Sequence, residues 1–175
     1  MGIVVCVERT SSRPLAEDAV WVKDGDQLYY PYVSSCVSVT LVFEKGLLGG
    51  HASQVTTHEK DGEFRQAENL KDVITRMKGK DPGQETRGAL KRIYFLGLID
   101  TEEWNLGQAA KFIAEKFEQP QEDEPRKDNR TPADIVFDST DKKLSILHSD
   151  LVDGRNVAEK INYIKAIGQT ENYSA

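Results

Sequence analysis

Cys36 and His51 are the side chains whose types and spacing could do covalent chemistry. They stand fifteen residues apart in SSCVSVTLVFEKGLLGGHASQV, which runs from Ser34 to Val55. A thiol becomes a nucleophile once its proton is removed, and a neighbouring imidazole is the usual acceptor. Small residues lead up to the thiol in Pro31-Tyr32-Val33-Ser34-Ser35-Cys36. They would let a carbonyl substrate approach the backbone N–H groups of Ser35 and Cys36, which could serve as an oxyanion hole. Gly49 and Gly50, ahead of His51, permit close approach of the strand that carries the histidine. The bland account of Cys36 is a small buried residue, the commonest fate of a cysteine outside a disulfide.

The elements around this pair are legible from periodicity. Val37, Val39, Leu41 and Phe43 alternate with Ser38 and Thr40, which predicts a strand. Cys36 falls on the second face, among small polar neighbours rather than core aliphatics. Glu44-Lys45-Gly46 supplies a turn, and Leu47 onward returns as a hairpin partner. Upstream, Ile3–Val7, Ala19–Val22 and Leu28–Val33 read as short strands, with a turn at Asp24-Gly25-Asp26.

Downstream, Thr56–Phe64 reads as a polar loop. Leu70, Val73, Ile74 and Met77 then form a helical stripe that Gly79 ends. Lys80–Lys91 is polar and reads as a mobile connection. Ile93–Ile99 is nearly continuous apolar sequence, expected as a central strand. A helix with Asp100 or Thr101 as N-cap and Glu103 in its first turn follows, its stripe Leu106, Ala110, Ile113 and Phe117. Gln119–Thr131 is charged and proline-bearing and reads as a loop with no reason to pack. Ile135–Phe137 and Leu144–Leu147 flank the turn Asp141-Lys142-Lys143 as a second hairpin. A last helix presents Val157, Ile161 and Ile164 and ends near Gly168. Hairpins mixed with helices at uneven spacing predict an α+β sandwich rather than a doubly wound parallel sheet.

Composition narrows the function classes. The 175 residues suit a single domain over 1–175, 38% hydrophobic and 30% charged. A net charge of −6 argues against a broad nucleic-acid surface. No apolar stretch approaches the roughly 20 residues that span a bilayer. MGIVVCVERT lacks the basic leader and cleavage site of a Sec signal, and Cys6 stands where a myristoylation signal needs Ser or Thr. Two cysteines are too few for a disulfide framework, so reduced thiols are expected. His58 and His148 fit no metal-ligand spacing and read as surface histidines, Cys6 as packing, and Trp21 and Trp104 as core or rim anchors. Gly46–Gly50 is not a phosphate loop, because no Gly-Lys-Ser/Thr follows.

SSCVSVTLVFEKGLLGGH resembles the signature of the chemoreceptor glutamine deamidases (CheD), in which a GSCV-type strand is followed by a glycine pair and a histidine. The likeness rests on Ser35, Cys36, Val37, Val39, Leu41, Lys45, Gly49 and Gly50. The order of elements over about residues 25–150 is similar too. The resemblance implies a layered α/β/β/α sandwich of mostly antiparallel strands with flanking helices, shared with the deamidase domain of cytotoxic necrotizing factor toxins. In the chemotaxis enzymes the histidine typically comes about two residues further past the glycines. His51 follows them directly, an interval more like the toxins. Ser34 replaces the family's glycine before Ser-Cys, and Tyr30 replaces a threonine six residues ahead of the thiol.

The implied activity is cysteine-dependent protein-glutamine deamidation, with Cys36 as nucleophile and His51 as base and then acid. Either the Tyr30 hydroxyl or a backbone carbonyl would orient the imidazole. No metal or organic cofactor is implied. The implied partner is a protein bearing a target glutamine, with neither nucleic acid nor membrane insertion. The implied setting is the bacterial cytoplasm, or a target cell reached through a specialised secretion system. The same site could release methanol from a methyl ester or act as a transglutaminase. The alternative is a non-catalytic protein-binding module on the same fold.

Overall fold

The structure is a computed structural model that describes residues 4–6, 19–53, 66–99, 102–118 and 124–174. Its central element is the strand predicted after Cys36, β4 (Cys36–Phe43), every residue of which is buried. Because side chains alternate along a strand, one face of β4 carries Val37, Val39, Leu41 and Phe43 and the other carries Cys36 and Val42. The turn at Glu44-Lys45 returns the chain as β5 (Gly46–Ser53), in antiparallel register with β4 from Phe43↔Gly46 to Cys36↔Ser53.

Two five-stranded sheets result. β4 and β5 sit in one with β2 (Ala19–Lys23), β6 (Leu90–Gly97) and β7 (Arg126–Asn129), in the order β2-β5-β4-β6-β7. The other is ordered β1-β3-β8-β9-β10, from β1 (Val4–Cys6), β3 (Gln27–Val33), β8 (Ala133–Asp138), β9 (Lys143–His148) and β10 (Gln169–Asn172). Pairing is antiparallel except for β1 with β3 and β6 with β7. The inner faces meet through Leu28, Tyr30, Leu47, Tyr94, Ile135 and Phe137. Helices α1 (Gln66–Gly79) and α3 (Leu106–Lys116) cover the outer face of the β4 sheet. Helix α4 (Val157–Ile167) covers the other sheet through Ile161 and Ile164. The chain is thus α+β, a layered α/β/β/α sandwich. Among the described residues no helix is long and apolar enough to cross a membrane.

The α1 stripe lands as its spacing predicts. Leu70, Val73, Ile74 and Met77 are at most 1% exposed, each stabilising by roughly 2 kcal/mol through burial. Several expectations are corrected. The 80–91 connection is pinned rather than mobile, with a short helix α2 (Gln84–Arg87) inside it. The side chain of Arg87 is buried, donates from Nε to Asp81 Oδ1 at 2.7 Å, and lies over the Phe43 ring, 4.6 Å from its centroid. A guanidinium stacks on rings while satisfying a carboxylate, so a polar segment can still join the core.

The helix expected from Asp100 or Thr101 begins later. Those two residues lie outside the described set. A 3₁₀ turn, Glu102–Trp104, buries Trp104 completely, and Asn105 caps α3 by accepting from Gln108 N. The charged stretch Gln119–Thr131 does pack in part, because β7 pairs in parallel with β6. Val157 is exposed and not on the buried face of α4. The Thr56–Phe64 loop and His58 lie outside the described residues, and of Trp21 and Trp104 the first packs partly buried against the helix-side core.

Burial pushes the Asp81 carboxyl up, but bonds from Arg87, Lys78 and the Gly83 N–H outweigh this and hold it below its usual value. A lowered folded-state value means the unfolded chain binds the proton first, so this stabilisation is present above the ordinary carboxylate value of ~3.9 and is lost as pH falls through the folded value. Arg87→Ala should cost about 3 kcal/mol at pH 7, because it strips a buried carboxylate of its main partner. Urea denaturation at pH 7 and below pH ~3 should show the difference from wild type shrinking in acid.

Candidate functional site

The thiol sits at the first residue of β4, where the chain leaves an irregular turn. In β3 the register to β8 shifts between Tyr30 and Val33, a bulge that frees Tyr32 to take a left-handed φ of 48° and stand 58% exposed. Ser35 is also left-handed, at φ 58°, and exposed, so its amide belongs to a tight turn delivering Cys36 into the strand. Gly97 of β6 passes so close that a Cβ there would lie 2.4 Å from the Cys36 carbonyl oxygen. That carbonyl accepts from Leu98 N at 2.9 Å. The backbone at Cys36 is therefore held from both sides.

Cys36 and His51 share the face turned toward the other sheet. The ladder pairs His51 with Ser38 and Cys36 with Ser53, so thiol and imidazole are diagonal neighbours two residues out of step. Diagonal Cα atoms on one face of an antiparallel pair lie roughly 7–8 Å apart, a gap that an imidazole can span. Ser53, two residues past His51, lies directly across from Cys36 in the ladder. The thiol donates to Ser34 O at 3.0 Å. Cys36 is 1% exposed and His51 2%. The expectation that Cys36 sits apart from core aliphatics is corrected: it packs with Val33, Leu96 and Ala133 between the sheets. Alternation identifies the two faces of a strand, and here the second sheet seals the one that was read as polar.

Tyr30 reaches the same layer from β3. Its ring meets His51 edge-on, centroids 6.4 Å apart and planes 87° apart. Its hydroxyl shares a 2.8 Å hydrogen bond with Thr40 Oγ1, donates to Val39 O at 3.1 Å and accepts from the Gly50 N–H. Burial pushes the phenol well above its ordinary value, and the bonds from Thr40 and Gly50 offset part of this. Tyr30 thus touches the imidazole with its ring, while its hydroxyl is committed to β4 and β5.

The glycine pair has one role on each face. A Cβ at Gly49 would lie 2.5 Å from the Tyr30 hydroxyl, so this glycine makes room for the tyrosine between the sheets. A Cβ at Gly50 would lie 2.6 Å from Met77 Sδ and from Val73 Cγ1, so this one lets α1 lie flat on the sheet. The pair permits close approach, as expected, but of a tyrosine and a helix.

Three neighbours escaped the sequence reading. Ser38, opposite His51, donates to Leu96 O at 3.0 Å, and Thr40 holds Tyr30; both were visible as the polar alternates of β4. Asp134 gave one signal, a carboxylate in the otherwise apolar ADIVFD. It accepts from Tyr32 N at 3.1 Å and Ser149 Oγ at 2.7 Å, and from the Tyr29 hydroxyl, so it anchors the bulge that leads to Cys36. His148 is half exposed and its Nδ1 accepts from Asp150 N, a local turn contact. Among the described residues no cluster of His, Cys, Asp and Glu is arranged to hold a metal ion.

Compared with known proteins, the chain matches no protein-family model, and no curated protein matches it.

Proposed function

We propose that the chain is a cysteine-dependent protein-glutamine deamidase, a hydrolase of side-chain carboxamides. The observation that supports this reading is the placing of Cys36 and His51 on one face of adjacent antiparallel strands, with Tyr30 against the imidazole. His51 accepts the thiol proton, and the Cys36 sulfur attacks the glutamine carboxamide carbon. The tetrahedral oxyanion is held by the Ser35 and Cys36 amides, and collapse expels ammonia with the proton returned by His51. Water, deprotonated by His51, then attacks the thioester, releasing glutamate and restoring the thiol. The substrate is a protein glutamine, encountered in the bacterial cytoplasm or in a target cell after specialised secretion.

Burial of both groups favours a second reading, a non-catalytic binding module in which Cys36 and His51 are core residues. For catalysis the turn at Ser34-Ser35 has to move, breaking the Cys36–Ser34 bond and admitting an amide. Iodoacetamide separates the two. The enzyme reading expects Cys36 to be alkylated at neutral pH faster than a model peptide thiol. A rate no greater than the peptide's would favour the module.

Cys36→Ala should leave the fold intact, at a cost of about 1 kcal/mol, and abolish ammonia release from glutamine-bearing proteins such as casein. Unchanged release would dispose of the mechanism. Mass spectrometry should register the same event as a shift of ~+1 Da at the modified glutamine, where a neutral amide becomes an ionisable carboxyl. Because the tyrosine touches His51 through its ring, Tyr30→Phe should keep ammonia release within about threefold while losing about 1–2 kcal/mol of stability, the worth of a buried hydroxyl with several partners. A collapse of activity in a folded Tyr30→Phe protein would return the orienting role to the hydroxyl.

A further inference from the structure

At the far end of the inter-sheet layer from Cys36, a cleft of about 470 Å³ opens where β4 runs out at Val42 and Phe43. Six residues of strand separate its floor from the thiol, roughly 20 Å at ~3.4 Å per residue, so it is not the site already described. The volume lies within the range of about 300–1,000 Å³ typical of small-molecule sites.

Its cations are brought together by a defect in the ladder. β4 pairs Val42 with Arg92 and Phe43 with Leu90, which leaves Lys91 as the extra residue of a β-bulge. In a regular strand Lys91 and Arg92 would point to opposite faces. With the bulge both line the same cleft, the kind of re-aiming that bulges produce. Lys142 arrives from the opposite sheet, on the β8–β9 turn, at a left-handed φ of 58°.

Three cations from two sheets thus converge in a protein of net charge −6. Two are steadied by carboxylates at the rim: Lys142 Nζ lies 2.7 Å from Asp24 Oδ1, and Lys91 Nζ lies 3.7 Å from Glu44 Oε1. The Arg92 guanidinium donates to Tyr173 O at 3.4 Å and also reaches the Tyr94 hydroxyl. Its planar fork of five N–H donors suits a planar or tetrahedral oxyanion.

We propose that this cleft binds a small organic phosphate that also carries hydroxyl groups, such as a phosphorylated sugar or a mononucleotide. Arg92, Lys91 and Lys142 take the phosphate. Glu44, a carboxylate among the lining residues, accepts hydrogen bonds from the ligand's hydroxyls. Val42, on the inward face of β4, gives the cleft an apolar floor for the carbon skeleton.

Isothermal titration of the full chain with AMP and with glucose 6-phosphate tests this, with adenosine, glucose and inorganic phosphate as controls. At least one phosphorylated probe should bind with a Kd below about 1 mM, and its unphosphorylated partner should not. Arg92→Gln should weaken binding at least tenfold with an unchanged circular dichroism spectrum. Lys142→Gln, on an exposed turn, should weaken it in the same direction and guards against a folding defect in the first variant. No binding by either probe below about 1 mM, equal binding by adenosine or glucose, or undiminished binding by both folded variants would overturn the proposal. Inorganic phosphate binding as tightly as the organic probes would overturn the role given to Glu44 and the hydroxyls.

Discussion

The sandwich depends on β4 being buried on both faces. Its outward side chains press on α1 and α3, and its inward ones face a second sheet. The inward positions Cys36, Ser38 and Thr40 are polar or nearly so, and each requires a partner in a layer without bulk water. Ser38 finds Leu96 O, Thr40 finds the Tyr30 hydroxyl, and the Cys36 thiol finds Ser34 O. The Tyr30 hydroxyl in turn needs the empty space at Gly49. One requirement, satisfying a polar stripe between two sheets, thus accounts for the residues that first suggest catalysis. The same requirement gives the non-catalytic reading its strength.

Local signals in the chain carried the helices and the hairpins. The alternation of 37–43, the turn at 44–46 and the stripe of α1 all appear where their periods predict. Strands β7 and β10 were not legible, and for a shared reason. RKDN and QTEN are wholly polar edge strands, held by backbone hydrogen bonds to β6 and β9 rather than by buried side chains. Arg87 was illegible for the opposite cause, since a charge can enter a core once a carboxylate and two rings receive it. At the candidate site the shared face of Cys36 and His51 was legible from parity. Their offset by two residues along the ladder was not, because register depends on the turn closing at Phe43↔Gly46.

The offset bears directly on chemistry. A histidine directly opposite the thiol would be held against it by the ladder itself, whereas a diagonal one depends on what sets its ring angle. Here Tyr30 lies edge-on to the imidazole and is itself fixed by three bonds to β4 and β5. A tyrosine from the facing sheet thus lies against the imidazole while its hydroxyl is held by β4 and β5.

Reactivity and binding both require places where this closed layer is interrupted, and the ladders locate them. Between Tyr30 and Val33 the β3–β8 register slips, Asp134 captures the Tyr32 amide, and the turn before Cys36 is left at the surface. Between Val42 and Phe43 the β4–β6 register slips, and two basic side chains emerge together. Regular pairing on β4 seals every residue between these points. Any substrate or ligand that meets the inner layer must enter at an end where the pairing fails, and the two ends differ in chemistry. One presents a thiol beneath a turn that holds Tyr32 and Ser35 in left-handed conformations; the other presents Lys91, Arg92 and Lys142 beside Glu44.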